Sequence, residues 1–200
     1  MAPTTTRFYL DRAQIAQMLG LTDSKSIRQM ETSGRMLSPD VIVGDEDTQG
    51  KVSYGWDEKR VREFFTARGR LDDQGRPVVG QKPGKPRKGD EDSETEFMAR
   101  WTSIPKRYLG TRQVCQVVGI SDVSLHVRRE AGNFPQPDVV IGRAPTALVN
   151  GEDVPTTKTA RGVVHGWDEQ RTRQFGLQEG LITVVDGKEL PASALKRRND

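Results

Sequence analysis

The chain contains the same phrase twice. "YGWDEKRVREF" runs from Tyr54 to Phe64, and "HGWDEQRTRQF" runs from His165 to Phe175. Seven of the eleven positions are identical: the Gly, Trp, Asp, Glu, both Arg and the Phe. A repeated phrase constrains the fold because each copy is expected to occupy an equivalent place in an equivalent structural unit. The sequence therefore predicts two copies of one small unit.

The similarity extends well before this phrase. "YLDRAQIAQMLGLTD", from Tyr9 to Asp23, aligns with "YLGTRQVCQVVGISD", from Tyr108 to Asp122. After one extra residue in the first copy, "SGRMLSPDVIVG" aligns with "AGNFPQPDVVIG". Each copy also ends in apolar residues on both sides of a turn-forming sequence, which predicts a small terminal hairpin.

Composition favours two small cores over one large core. Of the 200 residues, only 34% are hydrophobic and 30% are charged, and a chain of this kind has little apolar surface for a single large interior. We assign residues 1–80 to a first domain and residues 106–191 to a second, and we expect each to fold alone. Residues 192–200 are assigned to a basic tail.

Residues 81–105, between the copies, predict a flexible linker. Their Pro, Gly and basic residues, followed by an acidic run, cannot bury enough apolar surface to form a core. A passive tether is the simplest interpretation, and a segment that contacts a phosphate backbone is the alternative. The candidate phosphate contacts are Lys82, Lys85, Arg87 and Lys88. The one helix that the segment offers is Glu94 to Trp101, which we expect to dock on the second copy.

Inside each copy, apolar spacing predicts a helix, a turn and a second helix. In the first copy, apolar residues recur at helical spacing over residues 11–19, and Gly20 ends that helix. Thr22 or Asp23 is placed to cap a second helix, which ends at Gly34. The second copy repeats the pattern, so both predict a helix-turn-helix.

Two short β-rich segments follow the helices in each copy. They are Val41 to Val43 and Val52 to Tyr54 in the first, and Val139 to Ile141 and Val163 to His165 in the second. This hairpin occupies the position of the wing in a winged helix-turn-helix, and the second wing is longer, from Arg143 to Gly162. The predicted fold class is α+β, mainly α, with two tandem winged helix-turn-helix modules joined by a flexible linker.

The repeated phrase predicts the start of a third helix. Asp57 and Asp168 stand where an N-cap is expected. In the first copy, Trp56 and Val61 have the spacing of a hydrophobic staple, whereas the second copy has Thr172 at the Val61 position. We expect the Trp of each copy to hold this helix against the other two, as a structural residue rather than a binding residue.

Two families share this pattern. "AQIAQMLGLTDSKSIRQMETSGRM" resembles the opening of MerR-family regulators. "YLGTRQVCQVVGISDVSLHVRREAGNFPQPDVVIG", followed by "HGWDEQRTRQF", resembles AlpA-type and excisionase-type DNA-binding proteins of phages and mobile elements. Each resemblance covers one copy. Together they imply sequence-specific binding of double-stranded DNA, as a transcriptional regulator of a phage, plasmid or integrated element.

The second helix of a helix-turn-helix enters the major groove and meets base edges near its N-terminus. Arg and Lys pair with guanine, Gln pairs with adenine, and an apolar side chain contacts the thymine methyl. The candidate base contacts are Ser24, Lys25, Ser26, Arg28 and Gln29 in the first copy, and Val123, Ser124, His126, Arg128 and Arg129 in the second. The candidate phosphate contacts are Arg12, Thr111, Arg112 and the wing residues Lys51, Lys158 and Arg161. For any one basic residue, a solvated surface charge is the alternative interpretation.

The two second helices differ, so we expect two non-identical half-sites. Tethering two modules makes the second binding event intramolecular, which can raise avidity by about 10² to 10⁴. Two other roles remain open. One is an architectural protein, such as an excisionase or a binder of a partition site, replication origin or packaging site. The other is an adaptor with one copy on DNA and the other on a protein.

The residues do not favour an enzyme. The two His lack metal-ligand spacing, and Cys115 lies among apolar helix residues where a core position is expected. The glycines of "GQKPGKPRKG" lack the flanking strand and helix of a phosphate-binding loop. We therefore expect no metal or cofactor. One Cys, no apolar run long enough for a membrane and no signal-peptide pattern predict a cytoplasmic, nucleoid-associated protein.

Overall fold

The computed structural model describes residues 5–44, 52–78, 91–142, 146–149, 152–155 and 163–196. Within these residues the protein is α+β, as predicted, with eight helices and ten short strands. The helices are α1 (Arg12–Met18), α2 (Lys25–Thr32), α3 (Glu58–Ala67), α4 (Glu91–Trp101), α5 (Thr111–Val118), α6 (Asp122–Glu130), α7 (Glu169–Gln178) and α8 (Ala192–Lys196). The strands are β1 (Arg7–Tyr9), β2 (Val41–Val43), β3 (Ser53–Gly55), β4 (Lys106–Tyr108), β5 (Val139–Ile141), β6 (Thr146–Val149), β7 (Glu152–Pro155), β8 (Val164–Gly166), β9 (Ile182–Val185) and β10 (Lys188–Pro191).

The two copies fold into the same order of elements. The first unit consists of α1, α2, the β2–β3 hairpin and α3, and the second unit consists of α5, α6, the β5–β8 hairpin and α7. The predicted succession of two helices, a hairpin and a third helix is confirmed in both. Among the described residues, no helix is long and apolar enough to cross a membrane.

Local capping explains where the first helix of each unit begins. In α1, an Asp11 carboxylate oxygen accepts from the Gln14 amide at 2.8 Å, and the Gln14 side chain accepts from the Asp11 amide at 3.0 Å. In α5, the Gln113 side chain accepts from the Gly110 amide at 2.8 Å. These bonds satisfy amides that a helix N-terminus leaves without partners.

The capping of α2 differs from the prediction. Its N-cap residue is Ser24, whose side chain makes no capping bond. The Asp23 carboxylate, one of the two predicted capping groups, instead accepts from the Lys25 amide at 2.8 Å.

Neither unit completes its own β-sheet. Strand β1 precedes the first unit but pairs in parallel with β5 of the second unit. Strand β4 precedes the second unit but pairs in parallel with β2 of the first. The two three-stranded sheets therefore have the orders β1-β5-β8 and β3-β2-β4. This exchange of strands was not predicted from the sequence.

The chain crosses between the units within one residue. Tyr9 pairs with Ile141 of the second unit, whereas the next residue, Leu10, exchanges backbone hydrogen bonds of 2.8 and 3.1 Å with Trp56 of its own unit. Leu109 and Trp167 repeat these bonds in the second unit, at 2.8 and 3.0 Å.

The exchange is reciprocal and has the same register on both sides. Arg7 lies opposite Val139 in one sheet, and the equivalent Lys106 lies opposite Val41 in the other. Reciprocal contact between equivalent surfaces is the property of a two-fold interface. The two units are therefore related by an approximate two-fold axis within a single chain.

The two sheets also pack against each other. Their facing sides form one apolar cluster of Val41, Val43, Val139 and Ile141, each no more than 2% exposed. This cluster is separate from the helical core of the first unit and from that of the second. Its apolar side chains come equally from both units, so separation would expose them to water.

The glycine of each repeated phrase allows the sheets to approach. A Cβ atom at Gly55 would lie 2.7 Å from Val41 Cγ2 and 2.9 Å from both Ile141 Cγ1 and Tyr9 Cβ. A Cβ atom at Gly166 would lie 2.6 to 3.0 Å from the equivalent atoms on the other side. Side chains do not tolerate contacts this short, so only glycine fits at these two positions.

Helix α4 corrects the expected linker. Residues 91–101 are helical, and Phe97, Met98 and Trp101 pack on the core of the first unit rather than on the second as expected. The Trp101 ring centroid lies 5.4 Å from that of Phe64 on α3, and Glu94 pairs with Arg68. Apolar residues at helical spacing in an otherwise charged segment provide this docking face.

The expected terminal hairpins are both present, with different lengths. In the second unit, β9 and β10 form a regular antiparallel hairpin, and in the first unit the pairing is a single bridge between Leu71 and Pro77. The residues assigned to a basic tail begin with α8, where the Ser193 hydroxyl donates to the Gly119 carbonyl at 3.0 Å. The second domain therefore extends beyond residue 191.

The shared sheets remove the basis for expecting residues 1–80 and 106–191 to fold alone. Each of these fragments lacks a strand that its sheet uses in the intact chain.

We predict that the units remain associated when the chain is cut between them. Fragments 1–84 and 85–200, expressed together, should purify as a one-to-one complex with one cooperative thermal transition, because β1, β4, α4 and the inter-sheet cluster hold them. Each fragment alone should melt at a lower temperature or without cooperativity. Light scattering after size-exclusion chromatography measures the complex. Two fragments that elute separately, each with a full cooperative transition, would show that the exchange does not stabilise the protein.

We also predict that Gly55→Ala and Gly166→Ala each destabilise the protein by about 1–3 kcal/mol, because the added methyl group overpacks the inter-sheet contact. Urea denaturation measures the loss. Gly110→Ser is the matched control, because a Cβ atom there meets its nearest neighbour at 3.7 Å and Ser is a favoured N-cap residue. A loss in this control equal to that of Gly55→Ala would contradict the packing argument.

Candidate nucleic-acid interface

The tryptophan of each repeated phrase lies in the core. Trp56 is 0% exposed and Trp167 is 1% exposed. The indole of Trp56 donates to the Leu37 carbonyl at 3.2 Å, and that of Trp167 donates to the Pro135 carbonyl at 3.0 Å. The prediction that these residues are structural is confirmed. They hold the loop that follows the second helix against the third helix.

The aspartate of each phrase caps the third helix, as predicted. The Asp57 carboxylate accepts from the Arg60 amide at 3.1 Å, and the Asp168 carboxylate accepts from the Arg171 amide at the same distance. Trp56 and Val61 are both fully buried in the same core, the arrangement expected for a staple. In the second unit, the buried Thr172 hydroxyl donates instead to the Asp168 carbonyl at 2.9 Å.

A second repeated aspartate, which the sequence interpretation missed, fixes the hairpin to this helix. In the first unit, Asp40 pairs with Arg60 at 2.7 Å and accepts from the Asp57 amide at 2.9 Å. In the second unit, Asp138 pairs with Arg171 at 3.0 Å and accepts from the Asp168 amide at 2.8 Å. The signal was available, because the tripeptide Pro-Asp-Val precedes the hairpin in both copies.

Helix α2 presents a polar face to solvent. Ile27 is fully buried and turns the helix toward the core of the first unit. Among the predicted base-contact residues of this helix, Ser24 is half-buried at the N-cap and the other four are exposed, namely Lys25, Ser26, Arg28 and Gln29. The first turn and a half of α2 is therefore open to a partner.

Helix α6 presents a different face. Leu125 is 2% exposed and takes the place of Ile27. Ser124 and His126 are exposed, and the His126 imidazole lies 3.2 Å from Glu130. Arg128 and Arg129 are half-buried, further along the helix. The predicted residues of α6 thus lie on one helix, but they are not equally accessible.

The two predicted arginines, Arg28 and Arg128, are not structural equivalents. Six residues separate Gly20 from Ile27, and five separate Gly119 from Leu125. The extra residue of the first copy therefore lies in the turn before α2. Aligned on the buried residues Ile27 and Leu125, Arg28 corresponds to His126, and Arg128 corresponds to Met30.

The predicted phosphate contacts that the structure describes differ in how accessible they are to a partner. Arg12 is already engaged: its guanidinium pairs with Glu31 at 2.7 Å and lies 5.0 Å from the Tyr54 ring centroid, so it holds α1, α2 and the hairpin together. Thr111 and Arg112 are exposed in the first turn of α5. The wing and linker candidates lie outside the described residues: Lys51, Lys82, Lys85, Arg87, Lys88, Lys158 and Arg161.

Burial shifts the pKa values of His165 and Cys115 strongly. Burial, with a smaller contribution from Arg129, lowers the pKa of His165 to about 4. Burial also raises the pKa of the Cys115 thiol to about 12, and the thiol donates to an Asp122 carboxylate oxygen at 3.1 Å. Cys115 therefore lies in the core, as expected. Within the described residues, no three His, Cys, Asp or Glu side chains are grouped as metal ligands.

No family model, no curated protein and no solved structure matches the chain. The resemblance to MerR-family, AlpA-type and excisionase-type proteins stays a prediction.

We predict that His165 makes the protein sensitive to mild acid. The folded-state pKa is about 4 and the ordinary value is 6.5, so the unfolded chain takes up a proton that the folded chain does not. The contribution of uncharged His165 to the free energy of unfolding should be fully present above pH 6.5 and should be lost as the pH falls toward about 4. In His165→Tyr, which copies Tyr54 of the first unit, this part of the decrease should be absent. Thermal melting across that pH range measures the difference, and parallel curves for the two proteins would contradict the assignment.

Proposed function

We propose that this protein binds double-stranded DNA in a sequence-specific manner as a transcriptional regulator, with α2 and α6 in the major grooves of two half-sites. The observation that carries the proposal is the pair of second helices. Each has one buried apolar residue that fixes the helix on its unit, and each has an exposed face over its first turns. The strand exchange holds the two helices in one fixed relation.

The exposed residues of α2 suit base recognition. Lys25 and Arg28 are donors that match the O6 and N7 acceptors of guanine, and Gln29 matches adenine. The Asp40–Arg60 pair and its counterpart brace the hairpin against the third helix, which restricts internal motion of each unit. Rigidity favours affinity, because little conformational freedom is lost on binding.

The strand exchange changes how the two units would act together. A flexible tether permits any spacing of half-sites within its reach. An approximate two-fold pair with shared sheets permits one spacing and one orientation, as in a symmetric dimer on an inverted repeat. The half-sites should therefore be inverted, at one spacing, and different in sequence because the faces of α2 and α6 differ.

An architectural role is the second candidate. The observation that favours it is the same fixed geometry of α2 and α6. Two helices that are held in a fixed relation and enter two major grooves impose a path on the DNA between them. Genome-wide footprinting distinguishes the two roles. Sites at promoters support regulation, and one cluster beside an attachment or partition site supports the architectural role.

The experiment that tests the proposal is a binding selection on randomised duplexes. We expect two inverted, non-identical half-sites at one spacing. Insertion of about five base pairs between them should reduce affinity strongly, because it turns one half-site to the opposite side of the duplex. Equal binding at every spacing would contradict a rigid pair, and binding without sequence preference would contradict the proposal.

We predict that Arg28→Ala costs about 1–3 kcal/mol of binding free energy and relaxes preference at one base position. The matched control is Lys59→Ala, which removes one positive charge from the exposed side of α3. The control should weaken all sequences slightly and equally. If Arg28→Ala also keeps the wild-type motif at every position, Arg28 does not read a base.

A further inference from the structure

We infer that helix α6 reads the methyl groups of thymines in its half-site through Val123 and Val127. This inference rests on the proposed function and names the chemistry that distinguishes the second half-site from the first. It adds apolar recognition at two positions of α6 where α2 has hydrogen-bonding side chains.

The exposure of the two valines carries the argument. Val123 is 73% exposed and Val127 is 57% exposed, although both are apolar. They are four residues apart on one helix, so their side chains are neighbours on its surface. Leu125, two residues from each, is buried. The valines therefore form a small apolar strip on the solvent side of α6.

The repeat shows that this strip replaces polar residues. Aligned on the buried pair Ile27 and Leu125, Val123 takes the position of Lys25, and Val127 takes the position of Gln29. Between these two positions both helices have a serine at the same aligned position, Ser26 in α2 and Ser124 in α6. The two helices thus share one exposed serine. They differ at the two compared positions, where α2 has the hydrogen-bonding residues Lys25 and Gln29 and α6 has valines.

The surroundings of the strip favour DNA over a protein partner. Ser124 and His126 interrupt it with exposed polar groups, and the basic residues Arg128 and Arg129 follow on the same helix. The central region of a stable protein interface is larger and usually contains aromatic residues. The major groove instead offers single methyl groups of thymine beside hydrogen-bonding base edges and phosphates, which matches two valines beside a serine, a histidine and two arginines.

The test replaces thymine by uracil, which removes only the methyl group. The probe is the duplex obtained from the selection, with each thymine of one half-site changed in turn. For wild-type protein, a contacted methyl in the second half-site should contribute about fourfold in affinity, the amount expected for burial of one such group. In Val123→Ala or Val127→Ala, where the shorter side chain withdraws from the groove, the corresponding uracil should have a smaller effect than in wild-type protein. Gln29→Ala is the matched control and should keep the full uracil effect in that half-site.

Each outcome has a separate meaning. If wild-type protein binds specifically but uracil has no effect in the second half-site, the inference is wrong and the valines face a protein or solvent. If the protein shows no sequence-specific binding, the proposed function itself fails.

A gain of function provides the second measurement. The combined variant Val123→Lys, His126→Arg and Val127→Gln gives α6 the exposed residues of α2 at exposed positions, so it should fold. In a new selection, its second half-site should become a copy of the first, and uracil should no longer matter there. A selected motif identical to that of wild-type protein would overturn the inference.

Discussion

The parallel pairing of β1 with β5 and of β4 with β2 is the interaction on which the rest of the structure depends. A two-stranded hairpin such as β2–β3 or β5–β8 is only marginally stable on its own. Here each sheet receives one strand from the other half of the chain and covers one face with the other sheet. The helices of each unit then start from a fixed point, because Leu10 and Leu109 return the backbone to their own units immediately after the exchanged strands.

Local features of the fold could be predicted because their causes are local. Apolar spacing, an N-cap aspartate and a glycine at the end of a helix are each contained within a few residues. The partner of β1 could not be predicted, because its sequence is compatible with β2 or β5. Two copies of one unit offer two equivalent edges, and only the complete packing selects between them. The same limit applies to α4, whose apolar residues indicate a docking face but not the unit on which it docks.

The candidate site was predictable to the level of the helix and less so to the level of the residue. Exposure of Lys25, Arg28 and Gln29 follows from helical spacing around Ile27. The equivalence between α6 and α2 residues does not follow from spacing in this way. One extra residue in the turn before α2 shifts the alignment of the two helices by one position. Arg12 illustrates a different limit. A basic residue at the start of a helix is a candidate phosphate contact in the sequence, but the fold brings Glu31 and the ring of Tyr54 to it.

The exchanged strand also affects how the protein is made. Arg7 is synthesised well before its partner, Val139, which lies far later in the chain. Contacts between residues so distant in sequence are costly to close and slow the formation of a native state. Until β4 exists, β2 presents an open edge, and until β5 exists, β1 has no partner, so another newly made chain can pair with either strand. Exchange of these strands between chains would give a dimer with the same sheets, so the strand pairing that unites one molecule also provides a route by which two molecules can become entangled during synthesis.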